Sequence, residues 1–292
     1  MWSIIKRLSS GLLDKNEKTM SEKWKFEDID WSLFDPQKVK PEILRVIKAG
    51  SVIEYNSSDY ELYLKGVFRG DEDFNREIES WSKDEVKHGK VLAEWIKLAD
   101  PSFDFEERFK AYVKGFPIDV EATESIRGSR ASELLTRCMI EIGTSTFYTA
   151  VKDATEEPLL KQICKKIAAD ELRHYKLFYK HLQRYQSQER LNLFRRFKVT
   201  MSRLLEDQDD ELPFAYYIAN NETVPYSRHY YTQAYGKAVY SLYQKNHVNS
   251  GASFFCKAIG INPQGWISKF LAFVIFKVLS SKAVNYAKAM GA

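Results

Sequence analysis

Glu171 and His174 stand three residues apart in the stretch AADELRH, residues 168–174. Side chains three residues apart share a face of a helix, so this pair can aim a carboxylate and an imidazole at one point. Metal-binding helices use this arrangement, but a single Glu-x-x-His is a weak signal because charged helices contain it by chance. Its meaning depends on whether the rest of the chain supplies further ligands.

A second copy of the motif lies earlier in the chain. Glu85 and His88 belong to DEVKH, residues 84–88. Alignment of the two copies, with one residue of slip at the turn between helices, also places Glu54 on Glu141. The chain therefore contains an internal repeat, and each copy has a glutamate at the same distance upstream of its Glu-x-x-His.

Those distances predict that the two glutamates of each hairpin lie at the same height along it. In an antiparallel helical hairpin, residues equally far from the turn are level with each other. Glu54 and Glu85 are centred on residues 69 and 70, where Gly70 interrupts the helical pattern. Glu141 and Glu171 are centred on residue 156, inside the turn ATEEP. Each half of the chain is thus predicted to bring two carboxylates and one imidazole together.

One Glu from each of two helices plus a Glu-x-x-His from each of two others is the ligand pattern of di-iron and di-manganese carboxylate proteins. Hard carboxylates bridge and neutralise two cations, and one imidazole per metal leaves room for dioxygen or peroxide. Four buried carboxylates would be costly without a cation. The predicted ligands are Glu54, Glu85, His88, Glu141, Glu171 and His174. The alternative for either motif alone is a pair of solvated charges, and Glu61 competes with Glu54 because it lies two turns along on a similar face.

Polar neighbours of these ligands are candidates for supporting roles. Asp84 and Asp170 each precede a ligand glutamate and could orient an imidazole, as metal-bound histidines require, or could be solvated helix residues. Thr144, one turn past Glu141, would place a catalytic hydroxyl beside the metals, or would bond back to its own helix. Three tyrosines are predicted to line the core: Tyr148, Tyr175 and Tyr179.

Helical periodicity dominates the elements that must position these residues, so we expect an all-α protein. The predicted helices run from about Pro36 to Phe68, from a cap at Asp71 to Asp100, from Ser129 onward, and from a cap at Thr155 with Pro158 in its first turn. The connection over residues 100–127 has room for a short helix. Two helical hairpins joined by a long crossover have the connectivity of a ferritin-like four-helix bundle.

Charge divides the chain further. Residues 223–292 contain no Asp or Glu but eight Lys and Arg, so the remainder is net acidic. We therefore predict an N-terminal arm (1–34), a di-metal four-helix bundle (35–206) and a basic helical C-terminal extension (207–292). Such asymmetry is typical of a surface that meets an anionic partner.

The basic extension has an apolar run, Phe270 to Phe276, between lysines. It could lie in a membrane interface together with the basic stripe in FRRFKVTMSR, residues 194–203. The alternative is a terminal helix packed on the bundle or across a homodimer, with its lysines facing water. Nothing resembles a nucleic-acid module.

Three cysteines without CxxC spacing argue against a disulfide scaffold, a structural zinc site or a rubredoxin-type iron site. No segment approaches the roughly 20 apolar residues of a membrane-spanning helix. The basic start MWSIIKRLSSGLL has no signal-peptidase site. We therefore expect a cytoplasmic protein, with peripheral membrane contact as an added possibility.

At CKKIAADELRH (164–174), DEVKHG (84–89) and EIGT (141–144), the chain resembles the soluble acyl-carrier-protein desaturases among the ferritin-like di-iron proteins. The resemblance covers roughly residues 36–185. It implies two irons, for which manganese is an alternative, Thr144 beside the oxygen site, and a ferredoxin as electron donor. The basic last third has no counterpart in that family.

These patterns predict a non-haem di-iron oxidoreductase of lipid metabolism that activates dioxygen to desaturate or hydroxylate an apolar or carrier-bound chain. Two alternatives stay open. One is an iron-handling or peroxide-scavenging protein without an organic substrate, and the other is a metal-free bundle that acts as an adaptor.

Overall fold

Eleven α-helices and three short 3₁₀ turns form the regular structure of the residues that the computed structural model describes, which are 23–205, 210–220 and 225–291. No strand occurs in these ranges, so the predicted all-α class is confirmed. The amphipathic start of the chain and the side chain of Arg203, in the predicted basic stripe, lie outside the described residues.

The first hairpin is built from three helices: α1 (Pro41–Tyr55), α2 (Ser57–Val67) and α3 (Glu72–Ala99). The sequence predicted α1 and α2 as one helix, and this was wrong at Asn56, whose N–H donates to the carbonyl of Ile53 at 3.1 Å instead of to the residue four back. Asparagine has a low intrinsic helix propensity, which fits a break at this position. Asp71 caps α3 as predicted, accepting from the N–H of Phe74 at 3.2 Å.

A short helix, α4 (Phe105–Gly115), lies in the crossover and precedes the second hairpin, formed by α5 (Arg130–Ala154) and α6 (Pro158–Glu189). α5 follows Ser129 as predicted, and the Ser129 side chain caps it by accepting from the N–H of Ser132. The predicted Thr155 cap of α6 was wrong. The Glu157 carboxylate caps this helix instead, because it accepts from the N–H groups of Leu159 and Leu160 at 3.1 and 2.6 Å.

Four helical segments lie side by side in the two hairpins. α1 and α2 pack on α3, α5 packs on α6, and α3 packs on α6. Each segment contributes to two apolar clusters: one is centred on Phe74, Trp81 and Phe178, and the other on Ile47, Trp95 and Ile163. In every segment the predicted ligands fall between the two clusters, so polar side chains occupy the middle of an otherwise apolar interior.

Five further helices follow in the described part of the chain: α7 (Leu193–Leu205), α8 (Glu211–Asn220), α9 (Arg228–Tyr240), α10 (Lys245–Ile259) and α11 (Trp266–Ala289). α8 and α9 pack on α1, α7 and α10 pack on α5, and α11 packs on α9 and α10. The domain boundary predicted near residue 206 stays a prediction, since residues 206–209 are not described. None of the described helices is both long and apolar enough to cross a membrane.

Candidate metal centre

The six predicted ligand side chains come together between the hairpins, and all six are buried. They form two overlapping groups, in each of which the potential ligand atoms lie within 4.8 Å of one another. Glu54 and His88 belong to one group, Glu141 and His174 belong to the other, and Glu85 and Glu171 belong to both. The structure therefore divides the six side chains into two unshared pairs and two shared carboxylates.

The shared carboxylates each present one oxygen to each histidine. Glu171 places Oε1 3.1 Å from Nδ1 of His88 and Oε2 3.8 Å from Nδ1 of His174. Glu85 places Oε2 3.6 Å from Nδ1 of His88 and Oε1 2.8 Å from Nδ1 of His174. The two imidazole rings are 5.9 Å apart between centroids. A carboxylate that bridges two cations needs this orientation.

Each unshared glutamate faces the histidine of its own group. Oε2 of Glu54 lies 3.5 Å from Nδ1 of His88, and Oε2 of Glu141 lies 3.6 Å from Nδ1 of His174. The competing candidate Glu61 belongs to neither group and pairs with Lys65 at 2.8 Å. The structure therefore places Glu54, and not Glu61, at the cluster, as the turn-centred distances predicted.

Asp84 and Asp170 contact the histidines from the far side, each reaching across to the other copy of the repeat. Nε2 of His88 lies 3.0 Å from Oδ2 of Asp170, and Nε2 of His174 lies 3.6 Å from Oδ2 of Asp84. Because an ionised carboxylate only accepts hydrogen bonds, Nε2 of His88 carries a proton, and Nδ1 is the ring nitrogen that faces the glutamates. Aspartates of this kind orient metal-bound imidazoles in many proteins.

Cations neutralise the two aspartates. Lys87 donates to Asp84 at 3.2 Å and to Asp170 at 3.1 Å, while Arg173 donates to Asp170 and lies 3.8 Å from Asp84. Lys23 donates to Asp84 at 2.7 Å. Burial acts to raise the pKa of both aspartates, but the histidines and these cations hold it well below its usual range. Both carboxylates are therefore ionised acceptors for the imidazoles.

This cationic layer was not predicted from the sequence, although its signal was present. Lys87 and Arg173 occupy equivalent positions, immediately before the histidine in DEVKH and DELRH. Trp24, outside both motifs, stacks on the ring of His88 with 5.9 Å between centroids, and only the tertiary structure reveals that contact.

Two hydroxyl groups reach ligand carboxylates. The Thr144 hydroxyl lies 2.8 Å from Oε2 of Glu171, as expected for a hydroxyl beside the cluster. It also lies 3.0 Å from the Glu141 carbonyl, as expected for a threonine that bonds back to its own helix. Tyr148 is buried in the core, as predicted, but its hydroxyl donates to Oε1 of Glu54 at 2.6 Å, which the sequence did not indicate. Tyr175 donates to the carbonyl of Phe254, away from the cluster.

The cluster concentrates negative charge in a buried space. Burial, together with the charges of Glu85 and Glu171, raises the pKa of Glu54 well above its usual range. Burial opposes protonation of His88 and His174, yet the surrounding carboxylates raise the pKa of both imidazoles. The cluster thus binds positive charge strongly, in the form of protons or of a cation.

Several buried atoms in the cluster make no well-aligned hydrogen bond within the described part of the chain, although Nδ1 of each histidine lies close to a glutamate oxygen. They include Nδ1 of His88, Nδ1 of His174 and Oε1 of Glu171. Leaving such atoms unpaired is costly, whereas a metal ion uses their lone pairs directly. The buried Glu and His side chains could therefore hold a metal ion.

The chain matches no protein-family model and no curated protein. Thr144 is half-buried, and its neighbour Gly143 is exposed, with nothing within 4 Å of a Cβ added there.

Proposed function

We propose that this chain is a ferritin-like di-iron oxidoreductase that activates dioxygen to desaturate or hydroxylate an apolar, acyl-type chain. The observation that carries the proposal is the sharing of Glu85 and Glu171, each of which offers one oxygen to each histidine. Such sharing fits two cations held side by side, because a single ion would leave one oxygen of each shared carboxylate unused.

The donor set supports iron, with manganese as the nearest alternative. Four carboxylates and two imidazoles, without a thiolate, suit these borderline-hard cations, and the four negative charges balance two divalent ions. Glu54 and His88 would hold one metal, and Glu141 and His174 the other. Two irons would supply the redox chemistry that reduces dioxygen.

The residues around the ligands are suited to a redox reaction at an apolar substrate. The two apolar clusters on either side of the ligands exclude water from the centre. Thr144 holds a hydroxyl against a shared carboxylate from a half-buried position. The Thr144 hydroxyl can donate a hydrogen bond or a proton to negative charge that develops there during the reaction, with no water molecule as intermediary.

The overall reaction needs an external electron donor. Desaturation converts a CH₂–CH₂ unit, dioxygen, two electrons and two protons into an alkene and two waters. Hydroxylation converts a C–H bond with the same co-reactants into an alcohol and one water. A ferredoxin-type protein is the proposed source of the electrons, because the described residues hold no CxxC or other cysteine cluster that could store them.

A single experiment separates this proposal from iron storage or peroxide scavenging. Purified protein is loaded with ferrous iron, and dioxygen consumption is followed with and without a reductase system and an acyl substrate. We expect about two irons per chain. We also expect one brief round of dioxygen consumption, and sustained turnover only when reductant and substrate are both present.

The same measurements can overturn the proposal. Continued oxidation of many added irons per chain would indicate mineralisation, and fast peroxide turnover without an organic product would indicate scavenging. Metal content near zero in all preparations would contradict the metal centre itself. Glu61→Ala is the control for substitutions of the clustered glutamates and should leave the iron content unchanged, because Glu61 pairs with Lys65 and not with the cluster.

A further inference from the structure

We infer that the face formed by α11 and α7 docks on a membrane surface that carries anionic lipids. This inference is independent of the proposed function, because no residue of the metal centre takes part. It rests on exposed apolar side chains, on the charges between them, and on the position of α7 beside the end of α10, from which the chain turns into α11.

α11 exposes large apolar side chains along one side. Trp266, Phe270 and Phe273 are 76%, 61% and 59% exposed, and Val274 and Val278 continue the stripe. The opposite side packs on the protein through Ser268 and Ala272, so the helix is held in place rather than free to turn. A packed helix that exposes this much aromatic surface to water usually has a binding partner on that side.

The charges in the stripe favour an anionic surface. Lys269 and Lys277 stand among the exposed aromatic side chains, Lys282 and Lys288 follow in the same helix, and all four are exposed. Among the described residues none of them pairs with a carboxylate, and α11 has no acidic residue. Lysines beside exposed aromatic and aliphatic side chains are typical of helices that lie in a membrane interface.

α7 adds a second patch of the same character. Phe194 is 78% exposed and Phe197 is 49% exposed, with exposed Arg195 and Lys198 beside them. Arg196 donates to the carbonyl of Ile259, at the end of α10, with 2.9 Å between the atoms. Val199, Ile261 and Leu271 pack against one apolar cluster, so α7 lies against the turn that leads into α11.

A second copy of the chain is a poorer occupant for this face. A symmetric dimer places the same patch against itself, which would bring Lys269 and Lys277 toward their counterparts. Neither α7 nor α11 supplies an acidic residue to neutralise them. An acidic protein would match the lysines but would leave the aromatic side chains without an apolar partner. A membrane with anionic headgroups matches both.

The test is binding of the full chain to sedimented vesicles. One set consists of phosphatidylcholine alone, and the other also contains phosphatidylglycerol. We expect binding only to the anionic set, weakened by added salt because the charges are screened. Lys269→Glu combined with Lys277→Glu should lower the affinity by more than about tenfold, since each basic residue near such a surface strengthens binding roughly fivefold. Lys90→Glu combined with Lys97→Glu makes the same charge change on α3, where both lysines are exposed, and should have little effect.

A second pair of variants tests the apolar contribution. Trp266→Ser combined with Phe270→Ser should reduce binding to the anionic vesicles by roughly tenfold or more. Ile126→Ser combined with Leu62→Ser is the control, because these side chains are 75% and 52% exposed but lie elsewhere on the chain. Phe194→Ser combined with Phe197→Ser should also weaken binding, as expected if α7 and α11 form one surface.

Several outcomes would overturn the inference. Equal binding to both kinds of vesicle would mean that the lysines contribute nothing, and unchanged binding by the α11 variants would place the contact elsewhere. Absence of vesicle binding, together with a dimer in sedimentation velocity that Trp266→Ser and Phe270→Ser dissociate, would make this face a subunit interface. Absence of vesicle binding with retention on an acidic protein would make it a protein-docking surface. Variants of the metal ligands, such as Glu171→Ala, should bind vesicles as the parent chain does.

Discussion

Nε2 of His88 lies 3.0 Å from Oδ2 of Asp170, so the aspartate of the second motif orients the histidine of the first. The reciprocal pair, His174 and Asp84, is 3.6 Å apart. The two copies of the repeat therefore hold each other's imidazoles in place, and neither half of the chain can complete the site alone.

The shared carboxylates should be the most sensitive ligands. We expect Glu85→Ala or Glu171→Ala to abolish binding of both metals, because each of these side chains belongs to both groups. Glu54→Ala should retain one metal, since Glu141 and His174 keep the two shared carboxylates as partners. Metal-to-protein ratios after dialysis measure the difference. Equal losses in the three variants would contradict a dinuclear arrangement.

The imidazole-orienting aspartates should contribute unequally. Asp170→Asn should weaken metal binding by roughly 10–100-fold, because it replaces the charged acceptor that orients His88 with a neutral amide, which accepts more weakly and can also turn its NH₂ group toward the ring. Asp84→Asn should weaken binding less, since Asp84 lies farther from its histidine. Competition with a chelator gives both affinities. A larger loss of metal affinity in Asp84→Asn than in Asp170→Asn would contradict the relative contributions inferred from the two histidine–aspartate distances.

The Thr144 hydroxyl should matter for the reaction more than for metal binding. Thr144→Val keeps the shape of the side chain and removes the bond to Glu171. We expect unchanged iron content and about a tenfold lower yield of oxidised product per dioxygen, the equivalent of one hydrogen bond. Thr144→Ser should restore the yield. If Thr144→Val behaves like the parent chain, the hydroxyl serves only the backbone of α5.

Tyr148→Phe should lower the stability of the fold and change the affinity for one of the two metals. The substitution leaves Oε1 of Glu54 without its buried donor, at a cost of about 1–2 kcal/mol in the free energy of unfolding. Affinity for the metal beside His88 should change, while affinity for the other metal should not. Tyr175→Phe is the matched control, because that hydroxyl donates to a backbone carbonyl. A change in metal affinity in the control would indicate a general effect of packing.

The cap of α6 should be a centre of stability. Glu157 accepts from two backbone N–H groups of α6, from Nε1 of Trp95 at 2.7 Å, and from the N–H of Asp35 at 3.0 Å. Glu157→Ala should therefore lower the free energy of unfolding by roughly 2–4 kcal/mol, which urea denaturation measures. Glu156→Ala should change it by less than about 0.5 kcal/mol, because Glu156 is largely exposed. Similar losses in the two variants would mean that Glu157 is not the cap in solution.

Much of the site could be predicted from the sequence because the rise of a helix is regular. Equal distances from Gly70 and from residue 156 place Glu54 level with Glu85 and Glu141 level with Glu171. Three-residue spacing then adds one histidine on each side. These relations hold within a hairpin, so they need no knowledge of how the hairpins pack.

The internal repeat of the sequence could not predict where the structures of the two hairpins differ. Thr144 and Ser57 are equivalent in the alignment, yet Thr144 contacts Glu171 whereas Ser57 donates to the carbonyl of Ser82 at 3.1 Å. The break at Asn56 lies immediately before Ser57, and α5 has no such break. A local change in backbone direction therefore removes the equivalence that the sequence indicates.

The helical class, the six clustered side chains and their division between two hairpins could be predicted from the sequence, since these follow from local periodicity and from distances along the chain. The tertiary structure alone decided which oxygen of Glu85 and Glu171 faces which histidine, that the aspartates cross between the motifs, and that Tyr148 supports Glu54. Those relations depend on how α3 and α6 pack against each other and on side-chain rotamers, which no spacing within one helix encodes.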